Sequence, residues 1–179
     1  TYTHIGHGNT ILGLAGGANI ATIIGDGNLY GGLLGGLNVL TKSGNGNLYV
    51  GLIGAGNIVT HHSDRASRSV AVMLGGLNVF TKIGDGELFG FMAGGGNVAT
   101  AVGDGTTALA MLGGVNVLTK IGDGPTVALQ FGGLNVFTHV GGQSTIGIMV
   151  GLGNIFTKVG DGLTIAGMFG GGNIATVVG

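Results

Sequence analysis

The chain has 179 residues, of which 44% are hydrophobic and only 7% are charged, and its formal net charge is −1. Because an ordinary soluble domain carries about 25% charged residues, this composition indicates an ion-poor surface, and the lack of a basic run argues against nucleic-acid binding. The absence of cysteine excludes a disulfide framework and a thiolate metal site. Glycine accounts for 44 residues but lacks the every-third spacing of collagen.

One asparagine recurs along the whole chain at a step of 19 residues, except for one step of 21 between Asn57 and Asn78. The members of this column are Asn19, Asn38, Asn57, Asn78, Asn97, Asn116, Asn135, Asn154 and Asn173. A fixed short period is the signature of a solenoid or array, in which each unit buries its apolar face against its neighbours. Residues 1–179 are therefore predicted to form a single array of about nine units. Neither end shows the polar cap of a natural solenoid, so we expect the array to be a fragment of a longer protein.

In chain order, each unit runs from its asparagine through a stretch that alternates with period two, a Gly-Asp-Gly turn, an apolar stretch and a Gly-Gly turn. Residues 78–96, NVFTKIGDGELFGFMAGGG, show this order. Alternating β-branched residues bounded by glycines predict strands, and the glycines provide the positive φ that tight turns require. The unit is thus predicted to be strand, turn, strand, turn. Stacked units would give an all-β, solenoid-like array with rungs about 4.8 Å apart.

A second architecture fits the same turns. An Asp-Gly step between apolar runs is also a strong signal for an antiparallel hairpin, so an antiparallel hairpin meander or barrel is the alternative fold. Its strands would have only six or seven residues, whereas a membrane-spanning strand needs about 9 to 11.

The alternation also predicts which side chains face inward. Burying a β-branched side chain contributes about 1.5 to 3 kcal/mol, whereas lysine is almost never buried unless it is paired. All four lysines occupy the fifth position of the unit, so this column is predicted to face outward, opposite in parity to Val79, Thr81 and Ile83. That orientation exposes apolar residues at the third position: Leu40, Phe80, Leu118, Phe137 and Phe156. Exposed apolar patches mark interaction sites, so these residues are predicted to contact membrane lipid or other copies of the repeat.

Aspartate occupies the centre of the Gly-Asp-Gly turn in most units. These residues are Asp26, Asp85, Asp104, Asp123 and Asp161. A turn-forming role is favoured, because one aspartate every 19 residues provides few of the six to eight oxygens that a calcium ion prefers. A calcium ladder resembling the nonapeptide β-helix repeats is the alternative, and no other cofactor is predicted.

One segment departs from the repeat. Residues 61–69, HHSDRASRS, add two residues and contain both arginines of the chain. They are predicted to form a surface loop, with a docking or processing site as the alternative. No catalytic triad, acid pair or phosphate-binding loop can be assembled from the chain, so neither an enzyme nor a small-molecule substrate is predicted.

The recurring NVFTKIGDG and NVLTKIGDG units resemble the 19-residue T-x-[IV]-G-x-G repeats of multifunctional-autoprocessing repeats-in-toxin (MARTX) proteins. The resemblance covers essentially the whole chain except residues 61–69. It implies a non-catalytic, glycine-rich scaffold of a large secreted bacterial toxin that associates with the host plasma membrane, self-assembles, or both, and helps to translocate effector domains. An extracellular adhesin or stalk rod is the alternative function.

Overall fold

The computed structural model describes all 179 residues, as strands joined by glycine-rich turns. The strands are β1 (Tyr2–Ile5), β2 (Thr10–Ile24), β3 (Leu29–Ser43), β4 (Leu48–His62), β5 (Ser69–Ile83), β6 (Leu88–Val102), β7 (Thr107–Ile121), β8 (Thr126–Val140), β9 (Thr145–Val159), β10 (Thr164–Phe169) and β11 (Gly172–Val178). None of its segments is a helix with the length and apolarity needed to cross a bilayer.

Every strand pairs in parallel with the equivalent strand of the next repeat. Asn38 lies beside Asn57, and Asn57 lies beside Asn78, so the longer step at the insertion leaves the register intact. Strands β10 and β11 are the two parts of the last rung, and both pair with β9. The predicted β-solenoid is confirmed. The antiparallel meander is wrong, because consecutive strands pair in parallel, with each residue beside its equivalent in the next repeat.

Each long strand bends at the glycine-containing step that precedes its asparagine, and its two arms face each other. In β6, the apolar arm (residues 88–93) precedes the bend and the Asn arm (residues 96–102) follows it. Leu88 and Met92 of the apolar arm are buried, as are Asn97 and Ala99 of the Asn arm. Inward residues from both arms form one hydrophobic core that runs along the axis.

The predicted orientation of the Asn arm is wrong. The third-position residues expected at the surface are the core: at most 1% of each is exposed for Leu40, Phe80, Leu118, Phe137 and Phe156. The residues expected inside, such as Ile83 and Ile121, are 39% and 45% exposed. The lysine column is buried with the third position, since residues two apart on a strand share a face.

Packing between the arms explains why the third position is inside. A Cβ added at Gly147 of the apolar arm would lie 2.9 Å from Cδ1 of Phe137 and 3.2 Å from Cε2 of Phe156. Small residues on one arm therefore accommodate large residues on the other. Where the third position is small, as at Ala99 of β6, the apolar arm of the next rung places the larger Leu109 inside.

The asparagine column forms a continuous hydrogen-bonded ladder in the interior. The Nδ2 of Asn97 donates to the Oδ1 of Asn116 at 2.8 Å and to the carbonyl oxygen of Leu112 at 2.9 Å. The same pair of bonds recurs from Asn19 to Asn154. Because both amide hydrogens are used, each buried asparagine ties the bend of one rung to the next.

The insertion lies in the turn between β4 and β5. The backbone N–H groups of Ser63 and Ser67 still donate to the carbonyl oxygens of Ile83 and Asp85, both at 3.0 Å. Residues 64–66 lie between these bonds and take no part in the ladder. The loop comprises residues 63–68, which is two residues longer than the other turns, and it leaves the solenoid continuous. It is shorter than the predicted span 61–69, because His61 and His62 end β4 and Ser69 begins β5.

Candidate functional surfaces

The lysines lie inside the solenoid beneath the Gly-Asp-Gly turns. The Nζ of Lys82 donates to the carbonyl oxygens of Gly84 and Asp85, both at 2.9 Å. Lys42 makes the equivalent bonds within its own turn. Lys120 and Lys158 donate to carbonyl oxygens of the preceding turn, at Gly103 and Gly141. Main-chain oxygens thus replace the water that a lysine would lose on burial, which is the pairing that makes an interior lysine tolerable.

Lysines alternate with uncharged residues along this interior column. Lysines never occupy adjacent rungs: His61 lies between Lys42 and Lys82, Ala101 between Lys82 and Lys120, and His139 between Lys120 and Lys158. Two cations are therefore separated by two rungs, or about 10 Å. The alternation limits the repulsion that a continuous lysine ladder would create in the core.

The two histidines are held neutral by their surroundings. Burial, followed by the charges of Lys42 and Lys82, lowers the pKa of His61 to about 3. Burial and Lys158 also lower the pKa of His139. The Nδ1 of His61 lies 2.7 Å from the hydroxyl of Ser69. A neutral imidazole can share a hydrogen bond with that hydroxyl and add no charge to the column.

Burial also lowers the pKa of Lys82, to about 8, with the charge of Lys120 acting in the same direction. Asp85 opposes this change from the outer side of the turn. The turn after Lys82 therefore places a cation on its inner side and a carboxylate on its outer side.

The turn aspartates connect successive rungs on the outside. The Oδ1 of Asp85 accepts the backbone N–H of Asp104 at 2.9 Å, and that of Asp104 accepts the N–H of Asp123 at 2.8 Å. Asp26 and Asp123 accept from Asn45 and Gly142 in the same way. Asp161 lies at the equivalent position of the last turn. No group of three or more histidine, cysteine or acidic side chains clusters as a metal site.

Both outer faces of the solenoid are apolar. The Asn-arm face consists of the second, fourth and sixth positions of each unit together with the nineteenth; Val79, Thr81 and Ile83 represent the first three of these columns. Its exposed members include Ile121, Val140 and Val159, which are 45%, 40% and 39% exposed. The threonine column runs along the middle of this face and adds a row of hydroxyl groups among the Val and Ile side chains.

The apolar-arm face is defined by three outward columns, represented by Phe89, Phe91 and Ala93. Leu112, Phe131 and Val150 on this face are 40%, 42% and 37% exposed. No charged residue occurs in the three columns. The sequence predicted an exposed apolar surface on the Asn arm, but placed it on the wrong side of that arm.

These features define a class: a glycine-rich, repeat-only β-solenoid, whose architecture suggests a structural role in preference to a catalytic one. A family model described as RtxA repeat matches seven segments that together cover more than half of the chain: residues 34–48, 53–65, 73–87, 92–108, 111–128, 132–147 and 149–166. The chain belongs to the RtxA repeat family, which confirms the resemblance found in the sequence and implies the repeat scaffold of an RTX-toxin-type protein. No curated protein and no solved structure matches the chain.

Proposed function

We propose that this chain is a non-catalytic repeat scaffold of a large secreted bacterial toxin, and that it associates with the host membrane to help effector domains cross it. The observation that carries the proposal is the pair of exposed apolar faces along the whole rod. Contiguous apolar patches beyond a few hundred Å² are rare on soluble monomers and usually mark interaction sites. The family supports the secreted, toxin-associated setting.

The Asn-arm face has the chemistry of a lipid-contacting surface. Its Val and Ile columns provide apolar area, and the threonine hydroxyls between them can bond to water or headgroups. A surface that combines both suits the boundary between headgroups and acyl chains. Because all four lysines are buried, the rod offers few cations to anionic lipids. We therefore expect binding to neutral phosphatidylcholine vesicles and only weak dependence on salt.

Vesicle flotation tests the proposal. The chain should float with phosphatidylcholine vesicles at low and at high salt. Ile121→Ser, Val140→Ser and Val159→Ser, combined in one variant, should reduce the floated fraction because they remove apolar area from the Asn-arm face. A matched control combines Leu112→Ser, Phe131→Ser and Val150→Ser on the opposite face, at nearly equal exposure, and should retain flotation.

The wild-type result separates the two candidate roles. A correctly folded rod that remains with the soluble fraction at every salt concentration would contradict membrane association. That outcome would favour the alternative of an adhesin or stalk in which the solenoid acts only as a rigid spacer. Equal loss of flotation in both triple variants would show that lipid contacts are not confined to the Asn-arm face.

A further inference from the structure

Three glycines on the apolar-arm face have no role within the fold. Gly13, Gly32 and Gly51 follow one another in a single outward column. None has a left-handed φ, and an added Cβ would meet nothing closer than 4.0 Å at any of them. By contrast, a Cβ at Gly35 in the bend would lie 2.0 Å from the carbonyl oxygen of Gly16.

Glycine inside a strand weakens it and often marks a place where another chain approaches closely. The three glycines form the floor of an open groove of about 420 Å³, bordered by apolar side chains such as Leu34 and Ile53. Because the solenoid itself would accept larger residues there, the groove leaves room for something outside the chain.

The same column carries larger side chains further along the axis. After Gly51, its members are Val72, Phe91, Ala110, Leu129 and Ile148. The glycine half of the column is therefore an open groove, whereas the other half carries Phe91, Leu129 and Ile148 outward and has a smaller hollow of about 310 Å³ at Ala110.

We propose that a second copy of the chain covers this face, related by a two-fold axis that lies in the interface plane and is perpendicular to the solenoid axis. Such an axis, placed between β5 and β6, sets Gly13 opposite Ile148, Gly32 opposite Leu129, Gly51 opposite Ala110, and Val72 opposite Phe91. Ile148 and Leu129 of each copy then enter the groove over Gly13 and Gly32 of the other, and the two contacts are equivalent, as an isologous interface requires. If the solenoid axes of the two copies instead ran in the same direction, each glycine would face the same glycine of the partner, and Phe91 would face Phe91.

The size of the face agrees with a stable dimer. Eight rungs at about 4.8 Å and an arm about 20 Å wide give about 800 Å² per copy, which is the area that each partner of a standard interface buries. Since the three columns hold no charged residue, association leaves no unpaired charge buried. The inference deepens the proposed scaffold role by naming the partner of one face, and it is independent of lipid binding by the opposite face.

Sedimentation equilibrium of the chain, compared with Gly32→Leu, tests the proposal. The wild type should show twice the monomer mass, and Gly32→Leu should raise the dimer Kd by about ten- to hundredfold because leucine fills the groove that the partner needs. Ala18→Leu adds the same bulk to the opposite face, where Leu37 and Leu77 occupy the equivalent position, and should leave the Kd unchanged. Circular dichroism checks that both variants retain β-structure.

Crosslinking tests the orientation independently. The chain has no cysteine, so Gly32→Cys and Leu129→Cys in one chain should give dimers with a short bismaleimide, whereas Gly32→Cys alone should not. Monomeric wild-type mass at all concentrations, or efficient crosslinking of Gly32→Cys to itself, would overturn the proposal. A monomer that still floats with vesicles would overturn the dimer and leave the proposed function standing.

Discussion

Each buried lysine in this solenoid lies within hydrogen-bonding distance of main-chain oxygens. The glycine-rich turns make this arrangement available, because they have no side chains to shield their carbonyl groups from the interior. A lysine at the fifth position thus combines a polar end under the turn with an aliphatic stem beside the core. Its neighbours in the column are His, Ala or another uncharged residue, so no two lysines are adjacent along the axis.

Two residues of comparable size on β7 test which side of the Asn arm is buried. Leu118 is fully buried and Ile121 is 45% exposed. We expect Leu118→Ala to lower the free energy of unfolding by about 2 to 5 kcal/mol, and Ile121→Ala by well under half as much, because only the first leaves a cavity. Urea unfolding measures both. A larger loss at Ile121 would contradict the observed orientation.

The interior histidines should make the rod sensitive to acid. An imidazole whose folded pKa is lowered stabilises the protein fully above its unfolded pKa of 6.5, and that stability is lost as the pH falls towards the folded value, about 3 for His61. We expect stability to fall by at most about 1.4 kcal/mol per pH unit between these limits for His61. His139, whose folded pKa is also lowered, adds a loss of the same sign. The thermal midpoint measured from pH 7 to pH 4 reports this loss.

The control replaces both histidines with alanine, the residue that Ala101 already provides in this column. His61→Ala and His139→Ala together should flatten the pH dependence over the same range, leaving the part due to carboxylates. An unchanged slope in the double variant would show that the histidines do not titrate differently on unfolding.

At the scale of the element, each rung is held by three kinds of rung-to-rung hydrogen bond. The backbone ladder joins the arms, the asparagine amides join the bends, and the aspartate carboxylates join the turns. The aspartate links are absent where Asn45 and Gly142 replace the aspartate, and the loop after β4 also interrupts the backbone ladder. There, Arg68 is fixed by a 2.6 Å ion pair with Glu87, while Arg65 belongs to the residues outside the ladder.

Limited proteolysis with trypsin tests whether this loop is more accessible to cleavage than the rest of the solenoid. The enzyme cleaves after lysine and arginine, and all four lysines are buried, so we expect a single early cut after Arg65. The products, residues 1–65 and 66–179, should be separated only by denaturation, because β4 and β5 remain paired. Arg65→Gln should slow the cut strongly. Early cleavage at Lys82 or Lys120 would contradict the burial of the lysine column.

At the scale of the molecule, the solenoid is a rod in which each rung contacts only its neighbours. Stability in such arrays is approximately a sum of rung and neighbour contributions. Ionic groups are kept away from the two broad faces: the lysines are inside and the aspartates are at the turns. The result is a rod with two uncharged faces, available for a lipid surface on one side and a second copy on the other.

Calcium is expected to have no effect on this rod. Each of four turn aspartates already uses one oxygen to accept a backbone N–H of the next rung, and one carboxylate per rung falls short of the six to eight oxygens that calcium prefers. The thermal midpoint should be the same in calcium and in chelator. A calcium-dependent rise that Asp104→Ala abolishes would support the calcium ladder instead.

Much of the fold was determined by local sequence signals. The constant step of Asn97 and its equivalents defined the rung, and the glycines around Asp104 defined a turn that requires positive φ. These signals depend on short-range backbone geometry, so they appear without knowledge of distant contacts. They predicted the solenoid and its period, but the Asp-Gly step left parallel and antiparallel pairing open, because the same turn joins a hairpin.

The direction of the Asn arm was decided only by tertiary structure. Alternation shows that Phe137 and Val136 face opposite sides, but it does not say which side is inside when both are apolar. The choice depends on the facing arm, where Gly147 leaves space for Phe137, and on turn carbonyls that accept hydrogen bonds from lysines such as Lys82. Both are contacts between segments that the chain brings together only by folding, and they outweigh the usual cost of placing a lysine inside.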